Sequence, residues 1–212
     1  MKRILILGAS GLVGQQLLQQ ALAQPEVQLV IAPTRRALPA HARLLNPIVD
    51  YEQLPEDAEW WQADAVLCAL GTTMRQAGSA SAFRRVDHSY VLAAARLAQA
   101  AGTPVFVLNS SLGADQRSSN LYLRVKGETE QALHALGFRS LTLVRPSLLD
   151  GGPRPDSRPA ETMALCMARL LGPLVPRRWR PVPTSRVAQA MLGAAMSGSA
   201  GTHIIESSGL HD

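Results

Sequence analysis

A run of apolar residues at 3–7 passes without a break into Gly8-Ala9-Ser10-Gly11-Leu12-Val13-Gly14, and from 12 to about 23 apolar residues then recur at helical spacing until Pro25. This strand, glycine turn and helix restrict the fold more than any other feature of the chain. In a G-x-x-G-x-x-G turn the first glycine permits a tight reversal and the second lets backbone approach a pyrophosphate. The third lets the helix pack against the strand. Backbone N–H groups at the helix start then face an anion along the helix dipole. Gly8, Ser10, Gly11, Leu12, Val13 and Gly14 are therefore the expected phosphate-binding residues.

The rest of the chain repeats the same alternation. Strands are expected at 27–32, 47–49, 65–70, 105–108, 140–144 and 203–205. Helices are expected at 80–101 and 120–136, with helical patches near 160–171 and 185–196. The strands are continuous apolar runs, as in a parallel sheet covered on both faces. The fold class is thus α/β, a doubly wound parallel sheet of the NAD(P)-binding Rossmann type with helices on both faces. With 212 residues and no repeat or boundary, one domain over 1–212 is expected. Its last part, from about 150 to 212, opens on a Pro/Gly-rich loop at 150–159 and is read as a small substrate-covering region.

A site for NAD usually places a carboxylate about 20 residues beyond the glycine loop, on the ribose hydroxyls. Residues 27–49 contain no Asp or Glu, and the tip of the second strand carries Thr34-Arg35-Arg36. A guanidinium fork there suits the 2′-phosphate of NADP and leaves NAD without its usual partner, so NADP is the expected cofactor.

Tyr122 and Lys126 lie four apart on the helix at 120–136, hence on one face. Free tyrosine ionises near pH 10; an ammonium about 5 Å away, at an effective dielectric of 20, favours the phenolate by about 3 kcal/mol. Such a tyrosine can exchange a proton with a substrate oxygen during hydride transfer. With three tyrosines and two lysines in the chain, an accidental pair at this spacing has an expectation of about 3%. The strand at 105–108 runs into Asn109-Ser110-Ser111, at the sheet end where ligands of doubly wound folds bind. Either Ser110 or Ser111 could hold the substrate oxygen, or both could cap backbone in the turn.

The net charge of +5 and pI near 9.9 raise nucleic acid as a partner, but the bases are scattered and no zinc spacing or aromatic platform accompanies them. No nucleic-acid role, no membrane span and no metal site is expected, because no apolar run is long enough and no histidine has ligand spacing. Cys68 and Cys166 read as reduced structural thiols, from which a cytoplasmic location is expected. Trp60-Trp61 reads as surface packing or a partner contact, leaving room for a protein partner. Arg177, Arg178 and Arg180 suit either an anionic substrate or a solvated loop.

These segments together resemble the short-chain dehydrogenase/reductase superfamily in its atypical, compact branch, and within it the group typified by the HIV Tat-interactive oxidoreductase of animals and its bacterial relatives. The similarity is carried by Gly-Ala-Ser-Gly at 8–11, Cys-Ala-Leu-Gly-Thr-Thr at 68–73, Val-Asp at 86–87 and Asn-Ser-Ser-Leu-Gly-Ala-Asp at 109–115. Ser-Asn-Leu-Tyr-Leu-Arg-Val-Lys-Gly-Glu at 119–128, Arg-Pro-Ser at 145–147 and Val-Pro at 182–183 extend it over almost the whole chain. The resemblance implies a Ser-Tyr-Lys arrangement carried by Ser110 or Ser111, Tyr122 and Lys126, with Lys126 also among the cofactor contacts. It further implies Asp50 by the adenine, Leu70, Gly71 and Thr72 along the cofactor, and Pro146 and Ser147 beside the nicotinamide. The superfamily's frequent asparagine on the long fourth helix is replaced by Asp87, which argues against a proton relay there. The expected function is an NADPH-dependent oxidoreductase acting on a small carbonyl or alcohol. The alternatives are an NADPH-binding sensor or interaction protein and a nucleotide-sugar epimerase or dehydratase.

Overall fold

The computed structural model describes residues 1–151 and 176–211. Seven strands form one parallel sheet: β1 (Lys2–Leu7), β2 (Val27–Ile31), β3 (Leu44–Leu45), β4 (Ala65–Cys68), β5 (Val105–Asn109), β6 (Ser140–Arg145) and β9 (Gly201–Glu206). The spatial order is β3-β2-β1-β4-β5-β6-β9. It reverses between β1 and β4, so the crevice beyond their carboxyl ends is the topological switch point of this sheet. A separate pair, β7 (Leu149–Asp150) with β8 (Val182–Pro183), lies outside it.

The inner strands are largely buried on both faces, whereas the edge strand β9 is mostly exposed, and the pleat sorts the inner strands' side chains. Ile4, Ile6, Val30, Leu67 and Val107 meet α1 (Leu12–Ala23) and a C-terminal helix, α6 (Thr184–Ser197), through Val13, Leu17, Val187 and Met191. Leu5, Leu7, Val66 and Phe106 face the other layer, with Val91, Ala94, Ala95 and Ala98 of α4 (Val91–Ala100) and Leu133 of α5 (Leu121–Ala135). The alanine row lets α4 approach the sheet closely.

Three details depart from the sequence reading. The strand expected at 47–49 is a single bridge, Thr34 to Ile48, and the ladder proper is at Leu44–Leu45. Pro47 has no N–H to donate, and Asn46 turns its amide onto the Ala32 carbonyl and the Thr34 hydroxyl, interrupting the register. The helix expected at 80–101 is preceded by a short α2 (Met74–Ala77), which Gly78 ends at φ +76°. It then runs as α3 (Ala80–Arg84), a π-helical segment at Arg85–Tyr90, and α4. Trp61 is core: its ring is buried and its indole N–H donates to the Pro55 carbonyl at 2.7 Å. Of the region from about 150 onward, α6 packs on α1 and β9 extends the main sheet. Most of the loop at 150–159, the helical patch at 160–171 and Cys166 lie outside the described residues.

Candidate functional site

The glycine turn occupies the crevice between β1 and β4. Gly8 has φ +82°, and a Cβ there would meet the Ala69 carbonyl group at 2.7 Å, so the turn lies against the end of β4. Gly14 is equally constrained, since its Cβ would fall 2.0 Å from the Gly8 carbonyl oxygen. Gly11 differs. Among the described residues its Cβ would meet only that same oxygen, at 3.4 Å. Gly11 caps α1 without a side-chain hydrogen bond, and the first turn, with Leu12 and Val13, holds no acid. Helix-start N–H groups and a first turn without acid, with no carboxylate against them among the described residues, fit a dinucleotide pyrophosphate.

On the β2 side, the Thr34 hydroxyl donates to the Arg36 carbonyl at 2.6 Å and accepts from Asn46. Thr34 is buried and shapes the turn, whereas Arg35 and Arg36 are exposed at its tip. Among the described residues neither guanidinium forms an ion pair. Asp50 is exposed, and its carboxylate accepts from the Glu52 N–H at 2.9 Å. Beneath it the buried Tyr51 hydroxyl donates to the Pro33 carbonyl at 2.9 Å. Burial holds that phenol well above its ordinary range, opposed by the Gly8 N–H and Arg35.

Past the end of β4, Leu70 and Thr72 are half-buried and Gly71 is exposed. The Thr72 N–H donates to Asp87 Oδ2 at 2.8 Å, and Asp87 Oδ1 lies 2.9 Å from Lys126 Nζ. Both side chains are nearly sealed, at 1% and 6% exposure. Burial pulls the Lys126 ammonium down, but Asp87 and Tyr122 more than offset it, leaving the lysine above its ordinary value. A Cβ on Gly71 would sit 3.3 Å from Asp87 Oδ1 and 3.7 Å from Lys126 Nζ, so the pair lies directly under the glycine. Tyr122, one turn earlier on α5, is half-buried with its ring 5.6 Å from that of Phe83.

The two serines part company. The Ser110 N–H continues the β5 ladder onto the Val144 carbonyl, so the pleat sends adjacent side chains to opposite sides. The buried Ser110 hydroxyl donates to Glu130, whose carboxylate is clasped by Arg145 Nε at 3.0 Å and Nη2 at 2.6 Å. Arg145 also reaches Glu206 on β9 at 3.1 Å. Ser110 thus belongs to a charged network with Glu130 and Arg145. Ser111 is half-buried, and among the described residues its hydroxyl meets only the Leu112 carbonyl, at 3.4 Å. Pro146 is buried and its carbonyl accepts from the Leu112 N–H at 2.8 Å; the Ser147 hydroxyl donates to the Arg180 carbonyl.

Sequence reasoning missed Asp87 as a partner of the lysine and Glu130 with Arg145 as partners of the serine. One signal was available: Tyr122, Lys126 and Glu130 fall at i, i+4 and i+8, a single polar line on one helix face. Among the described residues no group of three or more His, Cys, Asp or Glu side chains could hold a metal ion, and no helix is long and apolar enough to cross a membrane.

Residues 8–165 match the sequence profile of a family described as NAD(P)H-binding. The chain is 42% identical over 208 residues to the protein HTATIP2 of Rattus norvegicus, covering 94% of this chain and 84% of the rat protein. It is 37% identical over 180 residues to the mitochondrial protein fmp52 of Emericella nidulans, covering 81% of this chain and 77% of that protein. Among solved structures, MoeE5 in complex with UDP-glucuronic acid and NAD superposes with a TM-score of 0.75 at 19% identity, over 95% of this chain and 75% of that one. The cytoplasmic location expected from the cysteines is overturned by these relatives, since proteins of this kind from several fungi are named as mitochondrial. Unpaired cysteines exclude an oxidising compartment at most; they do not choose between reducing ones.

Proposed function

The chain belongs to the NAD(P)H-binding family, as an atypical short-chain dehydrogenase/reductase, and on that premise we propose that it is an NADPH-dependent reductase of a small carbonyl substrate. The observation that carries the proposal is Lys126, a buried cation lying under Gly71 and one helical turn from Tyr122. A buried ammonium is costly unless it is paired, and Asp87 supplies that pair, keeping a positive charge one helical turn from Tyr122.

In this reading Gly8, Ser10, Gly11, Leu12, Val13 and Gly14 receive the pyrophosphate. Arg35 and Arg36 take the 2′-phosphate, with Thr34 shaping their turn and Asp50 beside the adenine. Leu70, Gly71, Thr72, Pro146 and Ser147 line the remainder. When bound, the reduced nicotinamide supplies the hydride. Tyr122 gives its hydroxyl proton to the carbonyl oxygen as that oxygen becomes an alcohol, and the phenolate left behind is favoured by Lys126. Half-exposed, Tyr122 recovers its proton from solvent. Ser111, the serine whose hydroxyl is not committed to Glu130, holds the carbonyl oxygen; Ser110 supports the loop through the charged network.

A second reading, nucleotide-sugar epimerisation, is favoured by the likeness to MoeE5, which binds UDP-glucuronic acid and NAD. An epimerase would regenerate its cofactor each cycle and consume no NADPH. The test is Tyr122→Phe, scored as NADPH consumption against a panel of small aldehydes and ketones. Turnover should fall about 10²-fold with NADPH affinity retained; undiminished turnover would overturn the proposal.

A further inference from the structure

The π-helical segment at Arg85–Tyr90 interrupts a helix that is otherwise α-helical from Ala80 to Ala100, and Asp87 sits within it. Such widened turns frequently accompany functional sites. Here the turn brings a carboxylate inward that is 1% exposed, with Oδ2 accepting from the Thr72 N–H and Oδ1 on Lys126. The Asp87 carbonyl also accepts from the buried Thr129 hydroxyl at 3.0 Å, one turn beyond Lys126 on α5. One residue is thus tied to the end of β4, to the lysine and to the helix that carries the lysine.

We propose that Asp87 is a positioning residue that holds Lys126 as a cation beneath Gly71, so that the charge the reaction uses at Tyr122 persists across the working pH range. This rests on the reading of Tyr122 and Lys126 given above. The physical case is the cost of burial. An ammonium in a site this closed, without a counter-charge, loses its proton several pH units early. The groups facing Lys126 are Asp87 from the π turn, Cys68 from β4 and Tyr122 from its own helix. Cys68 offers no negative charge in the neutral range, since burial pushes its thiol up to about 12. Tyr122 must stay protonated to act as an acid. Asp87 is therefore the counter-charge on which the cation depends.

The chain has two lysines, Lys2 and Lys126, so lysine labelled with ¹³C at Cε gives two signals in the full-length protein, assigned by Lys126→Arg. In the parent the Lys126 signal should titrate above the ordinary lysine range. In Asp87→Asn its midpoint should fall by about 2 units or more, and Asp87→Glu should return it towards the parent value. Turnover of Asp87→Asn should decline as pH rises through that lowered midpoint, over a range where the parent is flat. A midpoint in Asp87→Asn that stays at the parent's value overturns the proposal. Should that variant not fold, a parent Lys126 found as neutral amine at pH 8 by its ¹⁵Nζ shift overturns it equally. The titration needs no turnover, so an active Tyr122→Phe protein would defeat the catalytic reading while leaving this result to be judged separately.

Discussion

Gly14 and Gly11 stand three residues apart in one turn, and substitution should separate them. In Gly14→Ala the new methyl starts 2.0 Å from the Gly8 carbonyl oxygen and 2.7 Å from its carbonyl carbon. Ordinary contact requires about 3.5 Å, so α1 and the turn must part by roughly 1.5 Å. The opposing atom is backbone in a turn held at φ +82°, which places the penalty near the upper end of the 1–3 kcal/mol typical of overpacking. Alanine's better helix propensity returns about 1 kcal/mol. A net loss of about 2 kcal/mol corresponds to a melting temperature lower by roughly 4–8 °C for a chain of this size. In Gly11→Val the Cβ meets one atom at 3.4 Å and the backbone, at φ −79° and ψ 172°, accepts a branched residue. That variant should lose about 1 kcal/mol at most, as a poorer N-cap, yet bind NADPH at least about 10-fold more weakly because the methyls fill the phosphate approach. Thermal unfolding by circular dichroism and calorimetric titration with NADPH read the two effects. A Gly14→Ala protein melting within about 1 °C of the parent, or a Gly11→Val protein with parental affinity, would refute the geometry argued for this loop.

Calorimetry should also show NADPH preferred over NADH, with the preference cut about 10-fold or more in an Arg35→Ala, Arg36→Ala double variant; equal affinities in the parent would end that reading. Ser111→Ala should slow carbonyl reduction by about 10-fold with little change in melting temperature, whereas Ser110→Ala should lose about 1.5–3 kcal/mol of stability from a buried bond to a carboxylate and keep its turnover. The reverse pattern would exchange the two roles. Cys68 titrates at about 12 against an ordinary 9.0, so folding favours its protonated form; the stability this supplies is complete below pH 9 and lost as pH rises towards 12. Alkaline unfolding should accordingly be less steep between pH 9 and 12 in Cys68→Ala, measured relative to each protein's stability at pH 8.

Much of the sheet was legible because β1, β2, β4 and β6 are short apolar runs followed within three residues by glycine or proline, a pattern set by local chemistry. The third strand was misplaced because its position depends on one side chain, Asn46, bonding the backbone of another strand. Trp61 was misread for a related reason: a tryptophan beside a turn looks exposed until the turn folds over it and Pro55 accepts its N–H. The Tyr122–Lys126 spacing followed from helical periodicity alone, but the partner of Lys126 did not. Asp87 is 39 residues away in sequence and reaches the lysine through a widened helical turn, for which neither composition nor periodicity has a signature. Which way the two serine hydroxyls turn is a question of pleat, and the ladder bond from Ser110 to Val144 sends adjacent side chains to opposite sides.

The packing of α6 on α1 has a consequence for synthesis. The first charged side chain of the chain, Lys2, donates to the carbonyls of Ala195 and Met196 at the end of α6, at 3.1 and 2.7 Å. The inner face of α1, through Val13 and Leu17, shares its core with Val187 and Met191. A ribosome-bound chain therefore carries the whole glycine turn early, with its helix lacking a cover until α6 has left the exit tunnel. The glycine turn in this sense gains its packed support only after the much later α6 has been made. Contacts across so long a loop form slowly, which makes the nascent chain rather than the finished protein the state most exposed to misfolding and to proteolysis.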